Sequence, residues 1–155
     1  MKLVIAPHVV SDSHLREILD KVKRPCIRYT EATEENVTQA DCLIIDCYGL
    51  LSSIYRYGEI SYIGGGFGVG IHNVLEAAVY GIPVIFGPNN KKFREAQHLL
   101  EQKGGFEVTG YDDFKRLMDK FLSDKACLQQ AGKAAGDYVN HNAGALEKIM
   151  KDITL

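Results

Sequence analysis

Apolar residues fall in short runs separated by longer stretches with helical spacing. Leu3–Ala6 is a run of the length and composition of a buried strand. Ser11, Asp12 and Ser13 then offer N-terminal caps to a helix that reaches about Val22, with Leu15, Ile18, Leu19 and Val22 on one face. Cys26–Tyr29 reads as a second strand, Thr30–Ala40 as a polar loop, Cys42–Asp46 as a third strand and Leu50–Tyr57 as a short helix. Ile60–Ile63 is a fourth strand, followed by a helix from about His72 to Tyr80 that Gly81 caps and Pro83 stops. Pro83–Phe86, a helix over Phe93–Gln102, and Phe106–Val108 complete six strands. From Tyr111 onward the pattern is helical, with breaks near Asp124 and Asn142.

Strands spaced by helices predict the α/β class: a Rossmann-like, doubly wound parallel sheet with helices on both faces. In such sheets ligands bind beyond the carboxyl ends of the strands, so the loops after Ala6, Asp46, Ile63 and Phe86 are where chemistry is expected. The 155 residues fit a single domain, expected to span 1–155.

Charge and composition narrow the field. Eighteen basic and twenty acidic residues give a net charge of −2, which supplies no general attraction to nucleic acid or to an anionic membrane. No apolar run is long enough to span a bilayer and no secretory signal is visible. Cys26, Cys42, Cys47 and Cys127 form no C-x-x-C pair and no zinc-type cluster, so they read as reduced packing residues.

The unusual segment is Gly64-Gly65-Gly66-Phe67-Gly68-Val69-Gly70, with five glycines in seven residues between a strand and a helix. Glycines allow backbone N–H groups to approach an anion closely, and the helix start near His72 directs positive dipole at the same place, so a phosphate site is expected. The run lacks the Lys-Ser/Thr ending of a P-loop and misses the third glycine of the dinucleotide fingerprint. Within the next helix Glu76 lies one turn beyond His72 and Asn73, where its carboxylate can meet ribose hydroxyls while Asn73 caps the helix or reaches the phosphate. Gly66→Val is expected to disrupt binding and leave the fold intact. Lys91, Lys92 and Arg94 are candidates for an anionic sugar, though a solvated helix start describes them as well.

These segments bear a resemblance. Tyr62-Ile63-Gly64-Gly65-Gly66-Phe67, Gly70-Ile71-His72-Asn73-Val74-Leu75-Glu76-Ala77-Ala78 and Gly81-Ile82-Pro83-Val84-Ile85-Phe86-Gly87-Pro88 together resemble the C-terminal half of the 3-deoxy-D-manno-octulosonic acid (Kdo) transferases. Asp46-Cys47-Tyr48-Gly49-Leu50-Leu51 is similar to that family's second donor loop, and Ala6-Pro7-His8 to the start of its first. The resemblance implies one half of a GT-B glycosyltransferase, binding the CMP-Kdo donor without metal or cofactor and passing Kdo to a lipid A precursor. It implies that Tyr48, Gly49 and Leu50 line a cytosine pocket, that Asn73 lies at the phosphate or ribose, that Glu76 takes the ribose hydroxyls, and that His8 stands in the first donor loop, while the loop itself offers Gly64, Gly65, Gly66, Gly70 and His72 for the phosphate. It further implies that the acceptor domain, with the general base and membrane anchor, precedes this region and is absent from the chain, so that this part alone is inactive and soluble while the full enzyme works at the cytoplasmic face of the inner membrane. A GT-B enzyme using a UDP- or GDP-sugar and a non-catalytic nucleotide-binding module are the competing expectations.

Overall fold

The computed structural model describes residues 1–144 and 150–151. The chain divides into two compact units, Met1–Ile54 and Tyr55–Leu155.

The first unit contains β1 (Leu3–Ile5), α1 (Asp12–Lys21), β2 (Cys26–Arg28), β3 (Cys42–Ile44) and α2 (Leu51–Ile54). All strand pairs are parallel and β3 is central, in the order β1-β3-β2. Ser11 caps α1 by accepting the His14 N–H at 3.4 Å, as its hydroxyl and position predict. Leu15 is buried beside Cys42 and Ile44, with Ile18, Leu19 and Val22 packed around them. β1 departs from the expected buried strand, because Leu3 and Val4 are exposed and only Ile5 joins the apolar cluster. Among the described residues of this unit it stands at one end of the sheet order. The predicted loop 30–40 contains short 3-10 turns at Tyr29–Glu31 and Val37–Gln39.

The second unit opens with a 3-10 turn at Tyr55–Tyr57, so the helix expected over 50–57 is two shorter pieces. It continues through β4 (Ser61–Ile63), α3 (Leu75–Ala78), β5 (Val84–Phe86), α4 (Arg94–Glu101), β6 (Gly105–Glu107), α5 (Tyr111–Ser123) and α6 (Lys125–Asn142). Its sheet is parallel in the order β4-β5-β6. β5 is central and wholly buried, and its side chains alternate between the two faces. Val84 and Phe86 join Ile63, Ala77, Ala78, Leu99, Ala135 and Tyr138 in one cluster, while Ile85 joins Val108, Phe121 and Ala131 in another. Helices thus cover both faces of the sheet, and the predicted α/β, Rossmann-like class holds.

The break near Asp124 is real: its carboxylate caps α6 by accepting the Cys127 N–H at 2.9 Å. The break near Asn142 matches the end of α6. The helical reading of the tail extends to residues 145–149 and 152–155, which lie outside the described residues. No helix among the described residues is long and apolar enough to cross a membrane.

Candidate functional site

The segment between β4 and β5 makes its first turn because it is rich in glycine. Gly65 has φ +89°, and a Cβ there would lie 2.1 Å from the Gly70 carbonyl oxygen. That oxygen's approach follows from a folded-back loop in which the Gly65 carbonyl accepts the N–H groups of both Gly68 (2.9 Å) and Gly70 (3.2 Å), and the Gly64 carbonyl accepts the N–H of His72 (3.1 Å). Three of the amides expected to cradle an anion are thereby engaged within the loop. Gly66 is buried against the loop that follows β5, where its ideal Cβ would sit 2.6 Å from the Gly87 nitrogen. A side chain at 66 therefore meets backbone, and the expectation that Gly66→Val spares the fold does not hold.

The helix after the loop is shorter than the sequence predicts. Over the expected range 72–80, only Leu75–Ala78 is α-helical; His72 and Asn73 precede it in irregular chain. Glycine-rich chain extends to residue 70, and the cap forms at Asn73, whose Oδ1 accepts the Leu75 N–H at 3.0 Å. One turn sums few peptide dipoles, so the helix end contributes much less positive potential than a full helix would. Gly81 ends the segment at φ +69° as expected, donating to the Ala78 carbonyl at 2.9 Å.

Asn73 and Glu76 do come together. The Asn73 amide donates to Glu76 Oε1 at 3.1 Å, which fixes the carboxylate beside the residue that caps α3. Burial pushes the Tyr55 phenol above its ordinary range, and the Glu76 charge adds to the shift. His72 and Asn73 line a depression of about 360 Å³ with Ile71, Val74, Leu75, Phe93 and Glu95; Glu76 and Gly64–Gly66 do not line it. Lys91, Lys92 and Arg94 are all exposed.

In the first unit the candidate residues sit beyond the carboxyl ends of β1 and β3. His8 is exposed in the turn that leads to α1. Tyr48 is exposed, Gly49 has φ +90° with open space around it, and Leu50 is half-buried. What precedes them is the feature the motif reading passed over. The Asp46 side chain is fully buried and accepts from Arg28 Nε at 2.8 Å, the Thr30 N–H at 3.0 Å and Thr30 Oγ1 at 2.5 Å. Burial acts to raise this carboxyl, but the hydrogen bonds from Thr30 and Arg28 outweigh it and hold it below the ordinary Asp range. The signal available in the sequence was an acidic residue closing an apolar strand, Cys42–Asp46, with Arg28 and Thr30 closing the other.

The four cysteines are free thiols. Cys42 is pushed up to about 11 by burial, with Cys26, its partner across β2 and β3, adding to the effect. Among the described residues no group of three His, Cys, Asp or Glu side chains could hold a metal ion.

Two parallel three-stranded sheets with flanking helices, a glycine-rich loop after β4 and an Asn–Glu pair directly after that loop make up a Rossmann-like α/β fold. The chain is related in sequence to the 3-deoxy-D-manno-octulosonic acid transferases. It is 32% identical to that of Aquifex aeolicus over 127 residues, which is 81% of this chain and 35% of that protein. It is 29% identical to that of Haemophilus influenzae over 153 residues, 96% of this chain and 35% of that protein, and 27% identical to that of Rickettsia felis over 145 residues, 90% and 31%. The chain therefore spans about a third of the length of these curated relatives. Among solved structures its fold matches the C-terminal CMP-Kdo binding domain of WaaA from Acinetobacter baumannii with a TM-score of 0.76 and 16% identity, over 88% of this chain and 72% of that one. No family model matches the chain. The resemblance read from the glycine loop and the His72–Ala78 segment thus holds across most of the sequence.

Proposed function

We propose that this chain binds the CMP-Kdo donor for a Kdo transferase that acts on a lipid A precursor at the cytoplasmic face of the inner membrane. The observation that carries the reading is the Asn73–Glu76 pair, locked together immediately after the glycine loop in a chain related to Kdo transferases. In this reading the nucleotide's phosphate lies over the Gly64–Gly70 loop near His72 and Asn73, and Glu76 accepts the ribose hydroxyls after exchanging its bond from Asn73 for them. Tyr48, Gly49 and Leu50 take the cytosine, and His8 belongs to the first donor loop. Metal and cofactor have no part in it.

The reaction is a displacement at the anomeric carbon. The acceptor hydroxyl forms the new C–O bond, the bond to the CMP phosphate breaks, and CMP leaves with the electron pair. The proton of the attacking hydroxyl passes to a general base on the acceptor side. What the chain contributes is preorganised stabilisation of charge on the departing phosphate, by fixed N–H dipoles that need little rearrangement during reaction. With α3 reduced to one turn, these donors matter more than the helix dipole.

Calorimetric titration with CMP tests this. The protein is expected to bind CMP in preference to UMP and GMP, and Glu76→Ala to weaken CMP about tenfold or more, since hydrogen bonds to a charged group contribute about 1.5–3 kcal/mol. Equal affinity for the two proteins removes Glu76 from the site, and equal affinity for the three nucleotides removes the CMP-sugar assignment.

A further inference from the structure

The loop after β5 grips the glycine loop at several points. Gly66 and Gly87 pack backbone to backbone, and a Cβ on Gly87 would stand 2.7 Å from the Gly66 carbonyl carbon. Two residues on, the Asn89 N–H donates to the Gly66 carbonyl at 2.9 Å and its side-chain Nδ2 to the Gly68 carbonyl at 2.6 Å. Phe93 lies against Gly70, its ring 3.0 Å from the ideal Cβ position there.

This grip has a firm base. Asn90 is 1% exposed, and its Nδ2 donates to the Gly87 carbonyl at 3.0 Å and to Glu107 Oε2 at 2.6 Å. Its Oδ1 accepts from Gln97 Nε2 at 2.6 Å. Asn90 thereby ties segment 87–90 to β6 and α4, two elements of the packed sheet.

The consequence concerns direction. In a planar trans peptide the carbonyl and the following N–H point opposite ways. No cis peptide bond is present among the described residues. With the carbonyls of Gly66 and Gly68 turned toward Asn89, the N–H groups of Phe67 and Val69 are turned away from it. Both of these residues are exposed, Val69 completely so.

We propose that Asn89 is a positioning residue: by holding the carbonyls of Gly66 and Gly68 it aims the N–H groups of Phe67 and Val69 outward as the anion donors of the glycine loop. The proposal rests on the donor reading for what the loop holds. It places the phosphate contacts on two amides that a pattern of glycines does not single out, and it gives segment 87–90 a purpose other than connection.

The test combines amide exchange and binding, by NMR on the full chain. With CMP added, the Phe67 and Val69 amide signals are expected to shift more than those of Gly68 and Gly70, whose N–H groups are bonded within the loop. Asn89→Ala, and the isosteric Asn89→Asp that lacks the Nδ2 donor, are expected to speed exchange at the loop amides and weaken CMP binding about fivefold, as one lost hydrogen bond implies. Exchange in β4 and β5 and the melting temperature stay as in the wild type. Loop exchange and affinity within twofold of wild type in both variants overturn the proposal, as does acceleration spread evenly over the sheet. If the wild-type protein binds no CMP, the donor reading fails separately, and loop exchange in the two variants still judges whether Asn89 holds the loop.

Discussion

Gly66→Ala is expected to destabilise the second unit nearly as much as Gly66→Val. The obstacle is the Cβ itself, which would sit 2.6, 2.7 and 2.9 Å from the nitrogen, Cα and carbonyl carbon of Gly87. These are backbone atoms adjoining the fully buried strand β5, and no rotamer change moves them aside. Overpacking of this kind costs about 1–3 kcal/mol where neighbours can relax, and a backbone neighbour places it at the upper end. For a chain of this size that corresponds to roughly 6–12 °C in melting temperature, readable by circular dichroism. CMP binding is expected to fall with it. Gly68→Ala is the control: its nearest neighbour would be the Gly65 carbonyl oxygen at 3.7 Å, an ordinary contact, so stability changes by less than about 0.5 kcal/mol. Equal melting temperatures for the 66 and 68 variants refute the packing account of the loop.

Asp46→Ala is the second large effect, and it falls on the first unit. The substitution removes a fully buried carboxylate and leaves Arg28 and both Thr30 donors without their common acceptor. Breaking a buried pair from one side costs about 3–5 kcal/mol. Arg28 retains some access to water and has Glu31 at 3.6 Å and Asp12 at 3.9 Å, so the lower end, about 3 kcal/mol, is expected in urea denaturation. The sign with pH is fixed by the depressed carboxyl. Its contribution is complete above the unfolded Asp value near 3.8 and is lost as pH falls through the lower folded value. Wild-type protein therefore loses stability in that acid window, and Asp46→Asn lacks this component of the loss. Identical acid profiles for the two contradict the assignment.

The fold was legible where side-chain period and burial agree. Val84, Ile85 and Phe86 form a run too short for a helix and too apolar for a surface, and they are the centre of the second sheet. The cap at Ser11, the break near Asp124 and the left-handed turn at Gly81 followed from residue chemistry alone. The length of α3 did not. His72–Tyr80 has helical residues throughout, but a helix needs a start, and Asn73 bonds the N–H of Leu75 from a loop that is still paying out glycine turns. Propensity describes residues one at a time, whereas the closing bonds Gly68 to Gly65, Gly70 to Gly65 and His72 to Gly64 are decided jointly. β1 illustrates the same limit, since Leu3 and Val4 read as interior residues and nothing local reveals a strand's place at the end of its unit's sheet order.

At the candidate site, the helical spacing set Glu76 on the same side as Asn73, and the structure joins the two at 3.1 Å. The sequence could not apportion the glycines. Gly65 supplies a left-handed turn, Gly66 a close backbone approach, and Gly68 neither. The close approach at Gly66 depends on Gly87 and Asn89, more than twenty residues downstream, and the turn at Gly65 on Gly70.

Because the chain between β4 and β5 is mostly turn and only one helical coil, a side chain at its outermost point can change without disturbing the strands. Val69 projects into water, while the Phe67 ring lies against Gly87 and Gly66 and Gly70 stay pinned below. Exchange of the Val69 side chain would thus leave both the held carbonyls and the buried layer underneath as they are, making that position the natural place for related proteins to vary what they grasp.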